Sequence, residues 1–390
     1  MEEQQEIEEQ PLYVSDPTLN KEGIGGIQAY VSYSLKGSKL QNPIIRRYRD
    51  FDALRRKMVE RWPGVFIPKL PHKKTIGNKQ KEVVEIRVEM INRFLKKLCK
   101  IDYLYGSDEL ELFLQDSTNV PKTLENIKEN TYEELLKKYA SVFTDYDDNF
   151  DTLAGKKDQD QFRKELGENY PRLKLFRKVV YQEKIRFQDV QKNYSAIINL
   201  ITLYEKDVIN KFVNDEEKLV FFNMKNFDLC KIISKTQEKV INPYDRLYAA
   251  ISEDYLTTEA MMEALDGLRS LQELYNKLTK NLTSTNVQLN DLQAGKTNIK
   301  NLFKFKGKEE KINGLMMEKE KLERDIEHLG QIIKIATFNM SKEIQNFKIS
   351  SVDNYYAELA RVEEDTEANA SIFDELWETV AKDKNISEYN

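Results

Sequence analysis

The chain of 390 residues has only two cysteines, Cys99 and Cys230, and only two histidines, His72 and His328. With so few thiols no disulfide framework is implied, and a reducing compartment fits best. A Cys/His zinc site would need all four residues to converge without any of the short ligand spacings that such sites use. Glycine (14) and proline (9) are sparse, so few points interrupt regular structure, and long helices are expected. No apolar run nears the ~20 residues of a membrane-spanning helix; the most apolar stretch, Ala196 to Tyr204, is much shorter. The opening MEEQQEIEEQ lacks the apolar core of a signal peptide. A soluble, cytoplasmic protein is expected.

What is present falls into two textures. Met1 to Gln10 is rich in Glu and Gln and reads as disordered. From Leu12 to about Gln115 short elements alternate. Gly26 to Leu35 reads as a strand, Gly37-Ser38 as a turn and Ile44 to Tyr48 as a second strand. Asp50 to Arg61 reads as a helix with Phe51, Leu54 and Met58 on one face, stopped by Pro63-Gly64. A Pro-rich segment (FIPKLP) leads to a helix from about Lys81 to Leu98, whose apolar positions Val84, Val88, Ile91, Leu95 and Leu98 repeat at helical spacing. Asp108 to Gln115 closes a small α+β domain.

After Pro121 the apolar period settles at three and four. One seam runs Leu173, Phe176, Val180, Phe187, Val190, Tyr194, Ile197, Ile201, Tyr204, Val208. A second runs from Met261 through Leu268, Tyr275 and Leu282 to Leu292, and a third from Leu322 through Leu329 and Ile333 to Met340. Steps of three and four sustained over several heptads are the coiled-coil pattern. Asn242-Pro243 divides the first helix from the second and Gly295 to Gly307 the second from the third, giving three antiparallel helices. A helix of ~60 residues is roughly 90 Å long. Three of them in one chain leave apolar surface that a second copy can bury, so a dimer is expected.

Catalytic patterns fail on inspection. Gly295-Lys296-Thr297 resembles the end of a phosphate-binding loop, but Asn290 stands where that loop needs glycine. His72-Lys73-Lys74 would need Asp where Lys79 stands. Asp145, Asp147, Asn149 and Asp151 alternate like a calcium loop, but Phe150 replaces its glycine and Lys156 its bidentate glutamate. No Cys–His or Ser–His–Asp grouping has local support. A protein that is not an enzyme, with no cofactor and no metal, is expected.

The positive signal is charge. Between Pro43 and Lys100 stand 17 basic residues against six acidic ones, a net of +11, which leaves −16 for the rest of a chain whose total is −5. A basic domain on an acidic chain calls for a polyanion. Nucleic acid would need stacking aromatics beside the patch, where only Tyr48 and Trp62 stand near, so no nucleic-acid partner is expected. RRYRDF at Arg46 to Phe51, the later KLPHKK, the helix EVVEIRVEMINRFLKKL, the opening VSDPTLNKEGIGGIQAYVSY and the closing SDELELFLQ together resemble the PX domains of sorting nexins. The three long helices, with Trp377-Glu378 near the end, resemble the BAR domain of the PX–BAR group. The fold so implied is a small α+β PX-like domain, an antiparallel sheet plus helices, followed by an all-α three-helix antiparallel BAR-type coiled coil.

The resemblance implies a pocket for phosphatidylinositol 3-phosphate. In it Arg47 holds the 3-phosphate, Tyr48 floors the inositol ring, Lys73 meets the 1-phosphate and Arg87 binds the 4- and 5-hydroxyls. An arginine fork suits a phosphate independently of any family. Arg46 and Arg49 alternate in direction with Arg47 along a strand and are expected to support rather than ligate. Where PX domains carry Pro-Pro this chain has Ile67-Pro68, with Lys69 added. Lys296, Lys300, Lys304, Lys306 and Lys308, with Leu302, Phe303 and Phe305 among them, form a basic tip suited to an anionic membrane.

The boundaries expected are residues 1–10 as an acidic tail, 11–116 as the PX-like domain, 117–159 as a linker and 160–385 as the BAR-like domain. In the linker Leu124, Ile127, Leu135, Leu136, Tyr139 and Phe143 could form an amphipathic helix, which packs between domains or enters a membrane. The resemblance further implies a peripheral protein on the cytosolic face of endosomes, acting in sorting and membrane curvature. It would be a homodimer or a heterodimer with another PX–BAR protein, with a retromer-type coat or cargo as partner. The rival reading is a coiled-coil tether whose PX-like domain binds protein.

Overall fold

The computed structural model describes residues 11–22, 28–71, 81–115, 119–212, 223–224, 227–228, 235–236, 238–294 and 305–382. Residues 1–10 of the expected acidic tail lie outside them. The chain divides into two compact units, Met1–Glu168 with Leu256–Phe347, and Asn169–Tyr255 with Lys348–Asn390.

The first unit begins with a three-stranded antiparallel sheet in the order β1-β2-β3: β1 Leu12–Glu22, β2 Gln28–Gly37 and β3 Ile44–Arg47. Strand β1 was not expected from its pattern, because Asp16-Pro17 interrupts the alternation. The register shifts there, between Ser15 and Thr18, and Asp16 adopts φ +50°. Aspartate tolerates that region better than most residues, and the Asp16 carboxylate accepts from Lys36 Nζ and Ser15 Oγ, both at 2.8 Å. At the end of β2, Gly37 has φ +151°, and a Cβ there would lie 2.0 Å from the Pro11 carbonyl oxygen, so only glycine fits.

Helix α1 (Tyr48–Arg61) follows β3 without a loop. The second strand therefore ends one residue earlier than its composition suggests. The cause is local: the Asp50 carboxylate accepts the Arg47 backbone N–H at 2.8 Å, satisfying a donor that the first helical turn leaves open. Phe51, Leu54 and Met58 are buried, as their spacing requires. Trp62 N–H closes the helix on the Met58 carbonyl at 2.9 Å. Gly64, at φ +76°, then turns the chain away where its backbone meets Gly267; a Cβ on Gly267 would come within 2.9 Å of Gly64 N.

Helix α2 (Lys81–Cys99) lies against β1. Asn92 fixes it there, accepting from Val14 N–H at 2.6 Å and donating to Val14 C=O at 3.1 Å. Short helices α3 (Asp102–Tyr105) and α4 (Asp108–Leu114) complete the layer. Helices α5 (Val120–Glu125) and α6 (Tyr132–Val142) follow. Their residues Leu124, Leu135, Tyr139 and Phe143 are buried in the same core as Phe51 and Trp62. Tyr139 O–H donates to Pro63 C=O at 2.5 Å, and its ring stacks on Trp62. The amphipathic face of this region is therefore spent on packing.

Three long helices remain: α7 (Thr152–Asp207), α8 (Pro243–Gln293) and α9 (Phe305–Lys382). Pro243 opens α8, where its missing N–H costs nothing, while Gly307 falls inside α9. In the first unit α7 runs antiparallel to α8, with Lys156 bonded to Gln272 and Arg163 paired with Asp266 at 2.8 Å. Gln159 donates to Thr337 C=O on α9 at 2.8 Å. In the second unit the same order holds. Arg177 on α7 donates to Ser252 on α8 at 2.9 Å, and Asn369 on α9 exchanges two hydrogen bonds with the Ile241 backbone at 2.9 and 2.7 Å. The core of this unit is small, centred on Val180, Leu247, Tyr248 and Ile251. Its α7 and α9 segments leave Val190, Ile197, Leu200, Ile349, Val352 and Tyr356 exposed. No helix among the described residues is long and apolar enough to cross a membrane.

Candidate functional site

The basic stretch sorts into two sets once the side chains are placed. One set is consumed inside the fold. Arg46 is 2% exposed; its Nε and Nη2 donate to Phe113 C=O at 3.1 and 2.8 Å, and Nη2 also reaches Gln115 C=O at 2.5 Å. It closes α4 onto the sheet. Arg61 pairs with the fully buried Glu109 and donates to Lys128 C=O, and Lys138 reaches the same carboxylate at 3.5 Å. Burial pushes the Glu109 carboxyl up, but Lys138 and Arg61 outweigh it and hold it below the usual range. Lys57 bonds Glu60 at 2.7 Å. Buried charges persist only when paired in this way.

The second set gathers where β3 meets α1. The Arg47 guanidinium lies 3.3 Å from the centre of the Tyr30 ring on β2, close enough for cation–π attraction. Tyr30 and Ser32 share a face of β2, and Ser32 is the cross-strand partner of Arg47, which explains the meeting. Arg87 on α2 stands 5.1 Å from the centre of the Tyr48 ring. The Tyr48 hydroxyl donates to Pro71 C=O. Burial, helped by Asp52, pushes the Tyr48 phenol up to about 12 against the opposing pull of Arg87 and Arg55, so at neutral pH it stays a neutral donor. Tyr33 is buried beneath; burial raises its phenol while Arg87 opposes the rise.

Two arginines are thus held against tyrosine faces beside a loop end, with Tyr48 between them in the chain. Arginine forks fixed in advance lose less entropy when a phosphate or polyol arrives. Of the four residues expected here, Arg87 stands over the Tyr48 ring, while Arg47, the residue before Tyr48, lies on Tyr30. Lys73 lies outside the described residues, though Pro71, two positions before it, sits at the Tyr48 hydroxyl. Arg49 is exposed, with Nε 3.6 Å from Asp50. Tyr30 and Tyr33 were not singled out by motif, although alternation along β2 places one on each face, and the first reaches Arg47. Of the basic tip, Lys296, Lys300 and Lys304 lie outside the described residues, and Lys306 and Lys308 fall in the first turn of α9. Trp62 is buried between Tyr103 and Tyr139 rather than presented to a surface. Among the described residues no cluster of His, Cys, Asp and Glu could hold a metal ion.

Residues 36–117 match the family model of the PX domain. Sorting nexin 1 of Arabidopsis thaliana is 35% identical over 99 residues, 23% of this chain and 25% of the relative. Human sorting nexin-11 is 33% identical over 130 residues, 31% of this chain and 47% of the relative. Beyond that segment the likeness is one of fold. The cryo-EM structure of the SNX-BAR Mvp1 tetramer aligns with 95% of this chain and all of its own, at TM-score 0.52 and 16% identity. The chain thus carries a PX domain and shares the overall fold of an SNX-BAR protein. These two curated relatives are matched over only a quarter to a half of their own length. In this PX domain, Arg47, Tyr48 and Arg87 all lie inside the matched residues, whereas Tyr30 precedes them.

Proposed function

We propose that the protein binds phosphatidylinositol 3-phosphate on the cytosolic face of endosomes, and that its BAR-type helices sense or form membrane curvature during sorting and protein transport. The observation that carries this is the pair of arginine–tyrosine contacts made from the β3–α1 junction, with Arg47 seated on Tyr30 and Arg87 over Tyr48. In this reading Arg47 takes the 3-phosphate bidentately, Tyr48 floors the inositol ring and Arg87 takes the 4- and 5-hydroxyls. Lys73, two residues after Pro71 in the sequence, meets the 1-phosphate. Charge-assisted hydrogen bonds of this kind contribute about 1.5–3 kcal/mol each.

The exposed apolar residues of α7 and α9 support a dimer, either of this chain with itself or with another PX–BAR protein. A solvent-facing row such as Val190, Ile197 and Leu200 is rare on a monomer. Two headgroup pockets and the lysines between α8 and α9 would then engage one anionic surface together, which multiplies modest affinities. Coat and cargo proteins are partners of the same proposed assembly.

Vesicle co-sedimentation tests the reading. The protein should pellet with phosphatidylcholine vesicles carrying phosphatidylinositol 3-phosphate and stay in solution with phosphatidylcholine alone. Arg47→Ala should weaken the lipid-dependent fraction about tenfold or more. Equal pelleting of both proteins with both vesicles contradicts it.

A further inference from the structure

Arg55 is the hub of a contact that joins the headgroup loop to a helix of the BAR-type region. Its Nε donates to Pro68 C=O at 2.8 Å and its Nη2 reaches Ile67 C=O at 3.5 Å. The same guanidinium pairs with Glu263 on α8, through Nη2 to Oε2 and Nη1 to Oε1. Lys69, the residue inserted in the loop, adds its ammonium 3.7 Å from Glu263 and 3.9 Å from Glu259. At the far end of the loop Pro71 C=O accepts from the Tyr48 hydroxyl.

We infer that Glu263 is a positioning residue for the phosphoinositide site, acting through Arg55 on the 67–71 loop and from there on Tyr48. The inference rests on the headgroup reading above and names a control built into that site. The contacts are continuous: Glu263 to Arg55, Arg55 to two consecutive loop carbonyls, and three residues later the loop to the Tyr48 hydroxyl. Ile67 and Leu70 are buried on either side of Lys69, so the loop cannot drift without leaving the core. Arg55 is itself buried, which makes a carboxylate partner the condition for its staying in place. Burial raises the Glu263 carboxyl, yet Arg55 and Lys69 hold it below its usual range, so it is a full anion at neutral pH.

The polar contact supplements the anchoring of the loop by Ile67 and Leu70. Beside the Arg55–Glu263 pair is a cavity of about 180 Å³, lined also by Trp62, Val65, Ala264 and Leu271, so apolar packing there is incomplete. A change in α8 at Glu263 therefore reaches the loop through this pair, and headgroup occupancy reaches α8 by the same route, since coupling between sites is reciprocal.

The test is a calorimetric titration of the full chain with short-chain, water-soluble phosphatidylinositol 3-phosphate. Glu263→Gln keeps the shape and removes the charge; it should weaken binding about threefold to thirtyfold, the span of a typical coupling contact. Glu263→Asp should recover most of that loss. Retention on anionic phosphatidylserine vesicles, which reads overall charge rather than the pocket, should move by less than a factor of two in both variants. Lys69→Gln provides the same test from the loop side if Glu263→Gln lowers the yield of folded protein, and a several-fold weakening is expected there too. Unchanged affinity in Glu263→Gln or Lys69→Gln, with wild type binding normally, overturns the positioning role and leaves the headgroup site standing. Failure of wild type to bind the lipid at all overturns both.

Discussion

The PX domain and the second compact unit solve the same problem with opposite results. In the PX domain, strands and helices set across one another close over Tyr33, Phe51, Phe94 and Phe113 and leave few large apolar groups outside. In the second unit, long segments of α7, α8 and α9 run side by side and cover only a narrow seam. Leu175 is 60% exposed, Val190 66% and Leu200 64%. Crossing elements can bury a residue from all sides, whereas a bundle of three aligned helices leaves any second apolar stripe to the solvent or to a partner. The PX domain covers its apolar residues within itself; the helical unit leaves a row of them exposed.

The sharpest way to break this contrast lies inside the PX domain, between two neighbouring arginines. Arg46→Ala strips the donors from Phe113 and Gln115 and should cost about 2–5 kcal/mol of stability, read as a fall in urea midpoint. Arg47→Ala should cost less, about 1 kcal/mol, since the half-buried guanidinium loses its cation–π contact with Tyr30 and strips no donors from the core. A reversed order would mean the two side chains have exchanged roles. For the helical unit, Leu200→Glu with Leu203→Glu should weaken self-association about a hundredfold and halve the mass seen by light scattering, with the PX domain still folded. An unchanged mass would move the partner surface elsewhere.

Acid provides a third comparison. Glu109 is held below the usual carboxylate range, so its contribution is fully present above pH ~4.5 and is lost as pH falls through its folded value. The wild-type urea midpoint should therefore drop on acidification more steeply than that of Glu109→Gln. Equal slopes would show that the Arg61–Glu109–Lys138 group adds nothing. Tyr139→Phe, which removes the hydroxyl bonded to Pro63, should likewise cost only about 1 kcal/mol, measurable as a shift of a few degrees in Tm.

Much of this was legible in the residues and some was not, for physical reasons. Helices α1, α2 and α4 announced themselves because each buries one face at helical spacing, and the long helices by their seams. Strand β1 was hidden by the Asp16-Pro17 bulge, a feature of register rather than of composition. Charge misled in one respect. A count of +11 between Pro43 and Lys100 made the whole stretch look like a surface, yet Arg46, Arg55 and Arg61 are buried on carbonyls and carboxylates. Their partners Phe113, Glu263 and Glu109 lie 48 to 208 residues away, and no local pattern reports them. The RRYRDF motif separated Arg47 from Arg46 through strand alternation, while Tyr30 needed the β2–β3 register.

We propose that Arg47, seated on Tyr30, makes the PX domain a reader of one phosphorylated inositol. The direct measurement is calorimetry of wild type and Arg47→Ala, each titrated with short-chain phosphatidylinositol 3-phosphate and with unphosphorylated phosphatidylinositol at a single salt concentration. The account predicts saturable heat with one lipid per chain for wild type and the phosphorylated form alone, weakened about tenfold or more in the variant. Equal affinity of the two proteins, or equal binding of the two lipids by wild type, would contradict it.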